Sequence, residues 1–167
     1  MAGARVLRWL AAFLVAAALI ALPPAAVATS GPAVRGGGIV DGPLGTTSQL
    51  GFSASTAGGS FLCVMAGRSG GFPFGPWQDV LQMHVEGPVT PGSLSITGGV
   101  ATFSGTATIH VIGMTSSGPV AMTLTNVPFT STQAAGGAGV AWHRLDVSGV
   151  GTFGPETMKA GHISIWP

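Results

Sequence analysis

The sequence predicts an all-β domain, an antiparallel β-barrel or closed β-sandwich of about eight to ten strands, preceded by a cleaved signal peptide. Three observations carry that prediction. Short apolar runs alternate with Gly/Pro/Ser/Asn clusters from Gly36 onward, and no window holds a helical period with caps at its ends. The stretch from Ala101 to Val111 alternates strictly, with Ala101, Phe103, Gly105, Ala107, Ile109 and Val111 on one face and Thr102, Ser104, Thr106, Thr108 and His110 on the other. Such alternation means one face in the core and one in water, as antiparallel sheets have it.

The first 28 residues read as the leader. Arg5 and Arg8 make a positive start, Leu10 to Leu22 is unbroken and apolar, Pro23-Pro24 ends the run, and Ala26-Val27-Ala28 is an A-x-A cleavage pattern. A spanning helix needs about 20 apolar residues, more than this stretch offers. Export with cleavage near Ala28 is the expectation, with no membrane span in the mature chain. Residues 29–35 then read as a flexible lead-in and 36–167 as a single glycine-rich β-domain.

Composition narrows the partners. The chain has six Lys and Arg against five Asp and Glu. Two of those cations, Arg5 and Arg8, leave with the leader, so the mature part carries four against five. Scattered cations at near-zero net charge make no electrostatic footprint for nucleic acid. The single cysteine, Cys63, rules out an intrachain disulfide framework, and its setting in Phe61-Leu62-Cys63-Val64-Met65 reads as a small buried hydrophobe. The methionines Met65, Met83, Met114, Met122 and Met158 read as core filler.

Strands are expected near 38–41, 50–55, 60–66, 80–86, 93–97, 100–112, 120–129, 139–150 and 162–166. Gly105 in mid-strand marks a bend or close packing where a sheet curls, and Gly98-Gly99 makes a hairpin connection. Two stretches read as loops: Arg68 to Pro76, with Phe72 and Phe74 leading into Trp77, and Thr130 to Ala138.

Gly36-Gly37-Gly38, Leu50-Gly51-Phe52, the run from Ser95 to Ile109 (SITGGVATFSGTATI) and the closing Ile163-Ser164-Ile165-Trp166 together resemble the post-choice-of-anchor (post-COAP) domain. The resemblance implies a bacterial or archaeal extracellular β-module of the kind found beside anchoring or adhesive domains. It implies no catalytic residues.

Chemistry is sparse. His84 and Glu86 share a strand face and could both reach one ion, but His84, His110 and His162 fall on polar faces where solvated histidine is the ordinary outcome. His143 shares a face with Leu145 and Val147, which predicts burial and a hydrogen bond. No His or Cys spacing marks a metal site, so neither metal nor cofactor is expected. Gly67-Arg68-Ser69-Gly70-Gly71 has nucleophile-elbow spacing, yet Phe72-Pro73-Phe74-Gly75-Pro76 cannot start the helix an elbow needs. No catalytic residue is assigned.

What remains are binding surfaces. Trp142, Arg144 and Asp146 line one face of a strand, and Trp and Arg are the residues that concentrate binding energy at interfaces. Phe72, Phe74 and Trp77 offer a second aromatic surface, suited among other things to a sugar ring. The leading expectation is therefore a secreted, non-catalytic module for an extracellular or cell-envelope partner, with Phe72, Phe74, Trp77, Trp142 and Arg144 as its binding residues. Two alternatives stay open: a barrel holding a small apolar ligand, unless Phe52, Phe61, Phe103 and Phe153 fill its middle, and a small barrel enzyme, which needs two or more of His143, Asp146, Glu86 and Asp79 to converge.

Overall fold

The computed structural model describes residues 31–42, 47–74 and 77–167. The leader and its cleavage site lie outside the described residues, as do the side chains of 67–78. Nine strands follow one another: β1 (Ala33–Asp41), β2 (Thr47–Ser55), β3 (Gly58–Phe74), β4 (Trp77–Val89), β5 (Ser95–Thr97), β6 (Val100–Thr115), β7 (Gly118–Ala134), β8 (Trp142–Val147) and β9 (Gly151–Trp166). No helix occurs among the described residues, so none is long and apolar enough to cross a membrane.

Every pairing is antiparallel, in the order β4-β3-β2-β1-β9-β8-β7-β6-β5, and β4 also pairs with β6. That last ladder closes eight strands into a barrel and leaves β5 as an extra strand. β5 fits because β4 ends with Val89 opposite Gly105, and the uncovered start of β6, Val100 to Thr102, takes up Thr97 to Ser95 instead. The sequence leaves barrel and sandwich open; the β4–β6 ladder decides for the barrel.

Closure works through the alternation seen in β6. Ala101, Phe103, Gly105, Ala107, Ile109 and Val111 are all buried, and their neighbours are not. Phe61 and Phe129 stack with ring centroids 4.9 Å apart, while Phe103 meets Phe52 at 5.7 Å and Phe61 at 6.1 Å. Phe153 packs against this cluster half-buried. Met83, Met158 and Cys63 are buried among them, as expected of fillers, but Met122 is exposed. It sits on the β6–β7 hairpin beyond the last β7–β8 pairing, Phe129 with Val147, where no neighbouring strand covers it.

The two stretches read as loops are largely strand. β3 and β4 run out to Phe74 and Trp77, which oppose each other in register, and Asp79 and Val80 are paired to Met114 and Gly113 of β6. Glycines and prolines spoil the apolar pattern there, and ladder hydrogen bonds override it. Thr130 to Ala134 belong to β7, held between Ser104–Val100 of β6 and Asp146–Trp142 of β8. β1 begins at Ala33, not Gly38, so Ala33 to Arg35 of the expected lead-in are fixed between β2 and β9. The expected strand 139–150 is shorter, because Ser148 to Val150 turn the chain. β9 starts at Gly151, well before the strand expected at 162–166.

Gly105 explains itself at closure. A Cβ there would stand 2.1 Å from the Pro88 carbonyl oxygen and 2.8 Å from the Phe129 ring. Gly51, by contrast, has open space at its Cβ position. Gly105→Ala is expected to cost about 1–3 kcal/mol or more through forced backbone movement. Gly51→Ala should be neutral or stabilise by about 0.4–1 kcal/mol. Urea unfolding midpoints of the two variants check the contrast.

Candidate functional site

Strand β8 divides the chemistry of the barrel between its two faces. His143, Leu145 and Val147 point inward and are buried; Trp142, Arg144 and Asp146 point outward. Sequence periodicity predicts this division, including the burial of His143.

Inside, a polar layer crosses the otherwise apolar core. Gln133 donates from Nε2 to Ser131 Oγ at 2.5 Å, which turns its Oε1 to His143 Nδ1 at 3.1 Å. Nδ1 therefore carries the proton and Nε2 a bare lone pair. Glu156, opposite His143 in the β8–β9 register, accepts from Ser48 Oγ through Oε1 at 3.2 Å. His143 Nε2 and Glu156 Oε2 are buried with no hydrogen-bond partner among the described residues. Burial lowers the His143 pKa to about 3 and raises that of Glu156 against the Ser48 hydrogen bond. Burial, and then the charge of Glu156, push the Cys63 thiol well above its ordinary value, with Ser48 opposing. Cys63, His143 and Glu156 are 1%, 0% and 2% exposed, so this layer holds an un-ionised thiol and a neutral imidazole away from any substrate.

The groups named for a barrel enzyme are divided between the two faces of the barrel wall. His143 is inside, while Asp146 and Glu86 are on the outer wall and Asp79 is half-buried on β4. His84 Nε2 does lie 3.3 Å from Glu86 Oε2, as their shared face predicts, and the His84 and His110 rings stand 5.9 Å apart. His110 Nδ1 contacts Thr123 Oγ1 at 3.0 Å, and His162 is exposed. No three His, Cys, Asp or Glu side chains among the described residues are placed to hold a metal ion.

Outside, β8 and β9 form a concave strip. Between the pairs His143–Glu156 and Leu145–Phe153, β9 supplies two residues, Gly154 and Pro155, opposite the single Arg144. This bulge needs glycine: Gly154 has φ +93°, and a Cβ would meet the His143 carbonyl oxygen at 2.6 Å. Trp142, Arg144, Pro155 and Thr157 line the resulting groove of about 320 Å³. Arg144 donates from Nε to Asp146 Oδ2 and from Nη2 to Asp146 Oδ1, both at 3.2 Å, and Thr152 Oγ1 also donates to Oδ1. The Thr152 hydroxyl first, and the Arg144 guanidinium with it, hold the Asp146 carboxyl below its ordinary pKa although partial burial pushes it up. A second groove of about 480 Å³ lies at the β8–β9 turn, lined by Thr130, Asp146, Ser148 and Thr152 together with the apolar Phe129, Val147 and Val150.

Of the five residues expected to bind, Trp142 and Arg144 therefore meet in one groove. The side chains of Phe72, Phe74 and Trp77 lie outside the described residues. Pro155, Thr157, Thr152 and the buried Glu156 are not found from sequence, because all four sit in a part of β9 where no strand is expected.

The interior layer makes a pH prediction with two signs. Unfolded His143 takes up a proton below about 6.5 and the folded form refuses it down to about 3, so its contribution to stability is lost as pH falls across that window, by roughly 1.4 kcal/mol per pH unit. Glu156 acts oppositely: its folded pKa is raised above 4.5, so stability is lost as pH rises from 4.5 towards the folded value. Unfolding free energies measured across pH should flatten on the acid side in His143→Gln and on the higher-pH side in Glu156→Gln. Unchanged profiles in both variants would contradict the assignment.

No family model matches the chain, and neither a curated protein nor a solved structure does so.

Proposed function

We propose that the protein is an exported, non-catalytic module that binds an extracellular or cell-envelope partner through the outer wall of β8 and β9. The observation that carries this reading is the groove at the β9 bulge, where Trp142 supplies an aromatic surface and Arg144 a guanidinium held by Asp146, whose carboxylate also accepts from Thr152. A groove is unusual on the convex wall of a barrel, and a fixed side chain loses little entropy on binding. The export leader and the resemblance to the post-COAP domain agree with an extracellular setting.

The apolar-ligand alternative is less well supported, because Phe52, Phe61, Phe103 and Phe129 occupy the middle of the barrel. Catalysis is less well supported because His143 is sealed in the core while Asp146 and Glu86 stand on the outer wall.

The test is retention of the exported protein on washed cell envelopes of the producing cell. Arg144→Ala, a surface change, and Trp142→Ala should each lower retention about tenfold, in the range of an interface anchor. Circular dichroism establishes that each variant is folded. Folded variants retained as well as the unaltered protein would overturn the reading.

A further inference from the structure

Arg144 lines the first groove and its hydrogen-bonded partner Asp146 the second, so the two adjoin as a strip. Trp142, Pro155 and Thr157 complete the first; the second, at the β8–β9 turn, is lined by Thr130, Ser148 and Thr152 together with the apolar Phe129, Val147 and Val150. At about 3.3 Å per residue, β8 advances roughly 13 Å from Trp142 to Asp146. That separation is longer than a single sugar ring, so a ligand touching both grooves is a chain.

The chemistry of the strip selects the kind of chain. Its one cation and its one anion are hydrogen-bonded to each other, so an anionic ligand would meet the Asp146 carboxylate and a cationic one the Arg144 guanidinium. Neither gains net Coulomb attraction. What the strip offers a neutral ligand is different. The flat faces of Trp142 and Pro155 suit the C–H face of a sugar ring. The Arg144–Asp146 pair, joined by two hydrogen bonds, puts donors and acceptors side by side, matching neighbouring hydroxyls that both donate and accept. Thr130 and Thr152, on either side of Asp146 in the sheet, and Thr157, opposite Trp142, add hydroxyls. The array is set before binding, since Thr152 and Arg144 both hold the Asp146 carboxylate.

We infer that the ligand of this wall is an uncharged, linear saccharide lying along β8, with one sugar unit against Trp142 and Pro155 and a later unit in the groove beside Thr130 and Thr152. This inference rests on the reading of the β8–β9 wall as the binding surface.

Isothermal titration calorimetry of the mature protein tests it, with cello-, xylo-, malto- and N-acetylchito-oligosaccharides of increasing length and a sulfated polysaccharide as the charged comparison. The expected result is binding to a neutral series that strengthens from monosaccharide to longer oligomers and changes little with added salt. Trp142→Ala should weaken it about tenfold while Trp142→Phe retains most of it. Thr130→Ala should remove part of the gain with length and leave monosaccharide binding unchanged. Binding of the sulfated polymer alone, lost in salt, would overturn the neutral class, as would no binding to any saccharide when Trp142 and Arg144 variants still lower envelope retention. Saccharide binding unaffected by Trp142→Ala and Arg144→Ala would instead overturn the reading of the wall itself.

Discussion

An eight-stranded barrel is closed only if its last ladder forms, and here that ladder is β4 against β6. Its interior is just wide enough for side chains to fill. Every strand must then give one face to a dense core and the other to solvent. Gly105 shows how tightly closure is drawn, since the Pro88 carbonyl and the Phe129 ring occupy the space a side chain would need. The rest of the molecule follows from this constraint. Side chains that enter the barrel pack into that core, and those on the other face meet solvent.

Most of a smooth wall is convex, and two departures break it. At one end the β3–β4 and β6–β7 hairpins run beyond the barrel and leave Ile112, Val120 and Met122 exposed. At the side, the Gly154-Pro155 bulge opens the groove beside Arg144. The second departure brings together side chains with chemistry to offer, and it does so without disturbing the core. Leu145 and Val147 remain buried on the inner face of the same strand. The interior polar layer of Ser48, Gln133, His143 and Glu156 has another consequence. It places two unpartnered polar atoms within an apolar barrel, which makes stability depend on pH from both directions.

The all-β class was legible because periodicity and burial coincide in β6, and the two faces of β8 were legible for the same reason. Inward Ile163, outward Trp166 and the buried thiol of Cys63 follow equally from local pattern. Patterns fail where glycine and proline do structural work inside a strand. The stretch Arg68 to Phe74 reads as loop because its residues disfavour strands, yet it is paired to β4. β9 hides Glu156 because its first half shows no strand period, so nothing local marks the carboxylate as facing inward. The distant Ser48, 108 residues away in the chain, donates to Glu156 and offsets part of the cost of that burial. Barrel rather than sandwich rests on the β4–β6 ladder, a long-range pairing that no local window contains.

The central claim is that recognition belongs to the outer wall of β8 and β9 while the interior stays closed. Backbone and side-chain NMR of the mature protein, titrated with the neutral oligosaccharide that binds most tightly, tests it most directly. The account predicts shifts concentrated at Trp142, Arg144, Asp146, Thr152 and Thr157, with Phe61, Phe103 and Met83 unmoved. Shifts centred on those interior side chains, or on His143 and Glu156, would contradict it.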